Sequence, residues 1–504
     1  MDAKMAEDVA PRPRGARLAS GSMFSLASIV ATRAASVVNA IVIIRVLGPN
    51  DYGVLSIVTL TMSVMLLVAT FQIPAALVKY LSDMPQDRQD EASRLISSGL
   101  LLASIATALA MLVIIILAPI LAFSVYGDSR LQLLLLVASL SLLLSSISAP
   151  LFATFQGFEH IRELGVRTAV SAILSIPSTV VLVVLFGLLG AVIALAVNSC
   201  ISIAVNVALL RRIWVSHHLR LRFILDRSAC GKLLNYSYLA VLSAIVVSVT
   251  LWFCNSLLVT SKSFVELGRY SAGYGLAAYL LFISVSIGVP LVPIVSRLHK
   301  ESPAGMPQFV ASTIRVGSLL TLIPTLILAA LPEPFLRILY DAPYVAAAPV
   351  VRFAAPAMFL ASIGALVGYI IAGTGQMRGG LMLNVSWAVT FVGLSLVLVP
   401  QSGEVGLAVA VLCAYAVLFV AAMIFAMRSW KVDLAQLSPI LLIAFISVPA
   451  AMLVSMFSGW GRVALAALLV AAVAYAGLQT MNAREKEVLF QPLRRAASWI
   501  HPRQ

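Results

Sequence analysis

Fourteen apolar runs, most of them about the length a helix needs to cross a bilayer, divide this chain and constrain its fold more than any other feature. They lie at 19–47, 53–79, 96–122, 131–157, 168–187, 190–210, 233–259, 270–295, 312–331, 345–372, 381–399, 406–427, 439–457 and 463–481. Transmembrane barrels are built from short segments that alternate polar and apolar residues, and these unbroken runs do not alternate. A backbone in hydrocarbon must satisfy its own polar groups, which leaves helices. The expected fold is an all-α integral membrane protein of about 14 transmembrane helices.

Only 11% of the residues are charged and 61% are hydrophobic, with a mean hydropathy of +1.03. Soluble domains carry about 25% charged residues. The first run is too long for a signal-peptide core, so it is expected to stay as an anchor. Orientation follows from where lysine and arginine fall. With the N-terminus inside, 26 basic residues face the cytoplasm and 7 face out, which puts both termini in the cytoplasm. The net charge of +14 is therefore a topological signal beside anionic lipid, and no nucleic-acid partner is expected. Cys200, Cys230, Cys254 and Cys413 are far apart, and the five histidines, His217 and His218 included, lack ligand spacing. No metal site, disulfide, cofactor or catalytic residue is expected.

The chain also repeats itself at an offset near 217. "LGPNDYGVLSI" aligns with "LGRYSAGYGLA", setting Tyr52 over Tyr270; Pro74 falls over Pro290, Tyr126 over Tyr340 and Gly157 over Gly375. Four matches in order imply an internal duplication. Six helices per copy is an even number, so the copies are parallel, an arrangement that transporters use with the substrate site between the halves. The expected organisation is an N-terminal tail (1–18), a first six-helix half (19–211), a basic linker (212–232), a second half (233–427), an added helix pair (428–481) and a basic tail (482–504). Pro74, Pro290 and Pro293 lie toward the inner ends of corresponding helices, where a missing N–H loosens the helix, and are candidate hinges for an inner gate.

One residue sits where lipid would forbid it. Arg33 lies roughly 20 Å along the first run, beside a polar stripe of Ser25, Ser28, Thr32, Ser36 and Asn39 at helical spacing. Small polar residues on a helix can serve close packing alone. A buried cation is costly unless it meets an anion or a wet cavity, and no acidic residue falls at mid-membrane in this sequence. Arg33 therefore points to an anionic substrate. Arg352 and Arg269 toward the outer ends, and Arg315 and Lys79 toward the inner ends, are further candidate cavity cations, each also readable as an interface anchor.

The "RVLGPNDYG" turn, "YGDSRLQ", "FQGFEHIRE" and "AGTGQMR" resemble the Wzx-type polysaccharide-transport flippases of the multidrug/oligosaccharidyl-lipid/polysaccharide exporter superfamily, over roughly residues 15–430. The resemblance implies movement of undecaprenyl-diphosphate-linked oligosaccharide units from the inner to the outer leaflet of the bacterial inner membrane by alternating access, with membrane lipid, a polysaccharide polymerase and export proteins as partners. A cation-coupled multidrug exporter of the same superfamily is the first alternative, disfavoured because cation coupling calls for an intramembrane carboxylate. A peptidoglycan-precursor flippase would change only the cargo. A membrane-embedded enzyme would need positioned acids or nucleophiles on an outer loop, and the longest, 331–346, offers only Glu333, Arg337 and Asp341.

Overall fold

The computed structural model describes residues 14–84, 88–158, 160–216, 226–483 and 485–486, and side chains from Ala31 onward except at 161–162, 212–216 and 235–240. Of the expected tails and linker, residues 1–13, 217–225 and 487–504 lie outside the described residues. Among the described residues there are fourteen α-helices and no strand: α1 (Arg14–Thr70), α2 (Ile73–Ser82), α3 (Gln89–Pro119), α4 (Arg130–Gly157), α5 (Ile161–Ser216), α6 (Arg227–Ser261), α7 (Phe264–Ala278), α8 (Leu281–Glu301), α9 (Met306–Ala330), α10 (Pro332–Tyr340), α11 (Ala348–Thr374), α12 (Met377–Trp430), α13 (Ser438–Val454) and α14 (Gly459–Gln479). Among the described residues ten stretches are long and apolar enough to cross a membrane. The chain is an all-α, multi-pass membrane protein.

Three of those stretches are too long for one crossing. Met377–Trp430 holds 54 residues, about 80 Å if straight, against a hydrocarbon core of about 30 Å. Each long rod contains one glycine with non-helical backbone: Gly48 in α1, Gly187 in α5 and Gly403 in α12. The last two share one conformation, φ 56° and ψ −129° at Gly187 against φ 55° and ψ −131° at Gly403. That region is open to glycine and strained for other residues. A second glycine follows each, and a Cβ there would strike a carbonyl oxygen of the preceding helix: Leu182 O at 1.8 Å from Gly190, Leu398 O at 2.2 Å from Gly406. All three pairs, 182 and 398, 187 and 403, 190 and 406, are 216 residues apart, so the sequence repeat continues in the backbone of two tight helix hairpins.

Two compact units result, Met1–Leu47 with Val58–Val241, and Gly48–Ile57 with Leu242–Gln504. In the first, α4 packs on α2, α3 and α5, over a core that includes Ile73, Leu77, Leu95, Ile96 and Leu233. In the second, α11 is the central helix, in contact with α7, α8, α9 and α12, while α13 and α14 pack on α9 and on each other. Inside this second unit the segment around Gly53 crosses α7 at Gly268. A Cβ on Gly53 would lie 1.9 Å from Phe264 O, and one on Gly268 would lie 1.8 Å from Pro49 O. The contact is reciprocal, with both pairs 215 residues apart.

Two runs that read as single spans are broken. The run 53–79 is interrupted at Phe71 (φ 48°) and Gln72 (φ 54°) before Pro74 opens α2. Proline lacks the N–H and clashes with the carbonyl four residues back, so the helix ends ahead of it, and two left-handed residues cost about 1–2 kcal/mol each. The run 270–295 divides into α7 and α8 at Tyr279–Leu280, with Pro290 and Pro293 inside α8. The stretch read as an outer loop, 331–346, folds instead into α10 and a 3-10 turn, because its apolar residues recur at helical spacing behind Pro332 and Pro334.

Candidate functional site

In the first unit one member of the polar stripe of α1 reaches α5. Asn39 Nδ2 donates to Ser175 Oγ at 3.0 Å. Ser36 is exposed and donates back to Thr32 O at 2.9 Å. The side chains of Ser25 and Ser28 lie outside those described. Beyond Ser175 the network runs on within α5, where Ser178 donates to Asn198 Oδ1 (2.8 Å) and Asn198 Nδ2 donates to Thr179 Oγ1 (3.1 Å). Asn39 Oδ1 and Ser171 Oγ are buried without a hydrogen-bond partner among the described residues. None of the side chains named in this network is a carboxylate. Arg33 stands half-buried on the same helix, 15 residues before the break at Gly48, about 22 Å from that end.

A second arginine on α5 escaped the sequence reading, which began the fifth span at residue 168. The helix starts at Ile161, so Arg167 is on it rather than in a loop. Its Nε donates to Asn206 Oδ1 at 2.8 Å, and its guanidinium carbon lies 4.5 Å from the ring centroid of Phe152. Asn206 is fully buried and turned by Ser148, whose carbonyl and hydroxyl both accept from Nδ2. The sequence signal was there: Arg167 and Asn206 are polar residues near two helix ends of one hairpin, but their pairing shows only once the hairpin closes.

The other candidate cations have varied surroundings. Lys79 is an exposed first-unit residue, 5.5 Å from the ring of Tyr80. In the second unit Arg352 pairs with Glu333, which also takes Arg462 of α14, while Arg462 Nε donates to Ala330 O at 2.6 Å. One carboxylate thus ties α10, α11 and α14 together. Arg315 is buried and bonded to Glu485 at 3.0 Å; the same carboxylate oxygen accepts from Asn482 N at 2.9 Å. Arg269 is half-buried on α7, close enough to Glu404 for their charges to interact. Beside it Ser263 Oγ caps α7 by accepting from Glu266 N, and Glu266 Oε2 accepts from Glu404 N at 3.0 Å. Arg315 and Arg352 are therefore held in ion pairs.

Between α11, α12 and α13 runs a groove of about 870 Å³ lined by Phe359, Leu412, Phe419, Leu441, Phe445 and other apolar residues. Among the described residues no group of three His, Cys, Asp or Glu side chains could hold a metal ion.

Paired membrane helices folded into two units that reuse one hairpin geometry make up the architecture of this chain. The same fold is seen in a lipid II flippase, MurJ, in an inward closed conformation, at a TM-score of 0.69 and 13% identity over 94% of this chain and 99% of that one. An inward-facing multidrug resistance MATE family transporter of the MOP superfamily matches at 0.62 and 13% identity over 81% and 98%, and a MOP superfamily transporter from Pyrococcus furiosus at 0.60 and 13% over 82% and 95%. The family model described as polysaccharide biosynthesis protein matches residues 18–299, more than half of the sequence, and the chain belongs to that family. No curated protein matches by sequence.

Proposed function

We propose that this protein is a flippase that carries undecaprenyl-diphosphate-linked oligosaccharide units from the inner to the outer leaflet of the bacterial inner membrane by alternating access, for exopolysaccharide, capsule or O-antigen synthesis. The observation that carries the reading is Arg33, a cation deep in α1 beside a network of neutral polar side chains. A diphosphate and its sugars cannot cross hydrocarbon unaided, and arginine offers an always-charged fork that matches phosphate. The polyprenyl tail stays in lipid or against apolar surface such as the groove by α13. Pro74, Pro290 and Pro293 act as hinges, with the strained Phe71–Gln72 break as the flexible joint. Outward movement of an anion gains about 2.3 kcal/mol per charge for each 100 mV of inside-negative potential. Polymerase and export proteins receive the product outside. Cation-coupled export is disfavoured by the carboxylate-free network on α1 and α5; a peptidoglycan precursor remains the alternative cargo.

The test is flipping of fluorescent undecaprenyl-diphosphate oligosaccharide in proteoliposomes at equal protein incorporation. Wild type should flip the lipid, Arg33→Ala should fall to the protein-free rate, and Arg33→Lys should retain part of the activity. Normal flipping by Arg33→Ala would make the arginine structural and remove the support that carries the reading.

A further inference from the structure

Resting on that reading and deepening it, we infer that the first unit holds a second site for a phosphate group at Arg167. The argument begins with how this side chain is held. Asn206 is fully buried, and its amide is locked by two acceptors on Ser148, so its carbonyl oxygen is turned to accept from Arg167 Nε. A guanidinium has five N–H donors. One is used here, and the two terminal nitrogens have no hydrogen-bond partner among the described residues.

The ring of Phe152 covers one face of the guanidinium at 4.5 Å. A cation over a ring is stabilised and also shielded, so a ligand must approach in the guanidinium plane, where the free donors lie. Glu163, one helical turn earlier, would be the natural partner for Arg167, but it faces His160 at 3.5 Å. No carboxylate among the described residues pairs with Arg167. A positioned, fork-shaped, half-buried cation with no carboxylate beside it among the described residues calls for an anion, and the geometry of its free edge fits two oxygens of a phosphate.

Depth relates this site to Arg33. The first segments of α1 and α5 are four chain reversals apart, so they run the same way, and the Asn39–Ser175 hydrogen bond fixes their register. Arg33 precedes Asn39 by six residues and Arg167 precedes Ser175 by eight, which places the two arginines at levels about 3 Å apart along the helices. Two cations at one level on neighbouring helices suit a ligand with two phosphates. The same chemistry is offered by an anionic phospholipid headgroup, and the experiment separates the two sources.

Affinity is measured for full-length protein in phosphatidylcholine nanodiscs, with undecaprenyl diphosphate as one probe and added phosphatidylglycerol as the other. In parallel, wild-type protein is treated with phenylglyoxal, and modification of Arg167 is read by mass spectrometry with and without each lipid. The proposal expects Arg167→Gln to weaken binding by about tenfold or more, as for loss of a charge-assisted hydrogen bond. Asn206→Asp, which keeps the arginine but supplies it with a counter-ion, should weaken binding comparably, and Arg167→Lys less. Protection of Arg167 by undecaprenyl diphosphate assigns the site to the cargo. Protection by phosphatidylglycerol alone, with no binding of undecaprenyl diphosphate, keeps the phosphate site and overturns the flippase reading. Unchanged affinity in Arg167→Gln and Asn206→Asp, with Arg167 equally labelled in all conditions, overturns the proposal. If Arg33→Gln weakens binding in that same series, the flippase reading stands without it. Should Arg167→Gln fail to fold, the labelling of wild type decides.

Discussion

An alanine at Gly53 or Gly268 tests the crossing inside the second unit quantitatively. An added Cβ would lie 1.9 Å from Phe264 O in the first case and 1.8 Å from Pro49 O in the second. Carbon and oxygen need about 3.2 Å, so the two helix starts must part by about 1.3–1.4 Å. Both listening atoms are backbone, and no side chain can turn aside to make room. Overpacking of this kind costs about 1–3 kcal/mol, from which alanine's better helix propensity returns about 0.5–1 kcal/mol. Two backbone oxygens that cannot turn aside put the cost at the upper end of that range, so each single variant should lose about 2 kcal/mol. Because the two contacts are reciprocal, one displacement relieves both. The double variant should cost little more than either single one, leaving a coupling of about 1–2 kcal/mol in a double-mutant cycle. The assay is SDS-induced unfolding in mixed micelles, with Gly275→Ala as control, since a Cβ there meets nothing within 4 Å. Single variants as stable as wild type, or a double variant equal to the sum of the two, would refute the reasoning.

The hairpin glycines should separate in the same assay. Gly187→Ala meets only backbone strain and should cost about 1–3 kcal/mol, whereas Gly403→Ala adds a Cβ 1.9 Å from Glu266 Oε2 and should cost more; equal losses would argue against the contact. Arg315→Ala or Glu485→Ala leaves one charge buried alone and should cost about 3–5 kcal/mol. Arg315→Met with Glu485→Leu should recover most of that loss, and failure to recover it would mean that the pair matters for more than its charges.

The membrane-crossing pattern was legible because transfer of a long apolar run is a local property of the sequence. Helix ends were less so. The fifth span was cut at residue 168 because Arg162, Glu163 and Arg167 lower the hydropathy, although a helix continues readily through such residues at an interface; this concealed Arg167. Pairing was not legible at all. Glu485 is 170 residues from Arg315 and Arg462 is 129 from Glu333, so nothing local marks them as partners. Arg33 stood out because its setting is apolar on both sides in sequence. The repeat was visible from four loose matches, yet its most exact instance, Gly187 and Gly403, is a backbone conformation that composition alone does not reveal.

The two glycine hairpins also bear on how the chain enters the membrane. Each joins two apolar helices through a very short turn, with only Leu188 and Leu189 between the glycines in one case and Glu404 and Val405 in the other. In the orientation that the loop charges predict, these turns face away from the cytoplasm, and a long hydrophilic segment would have to be carried through hydrocarbon to reach that side. Here there is hardly any such cargo. Each pair can leave the insertion machinery as a closed hairpin, so that the two helices are committed to the bilayer in one event and neither waits alone in lipid for its partner to be synthesised.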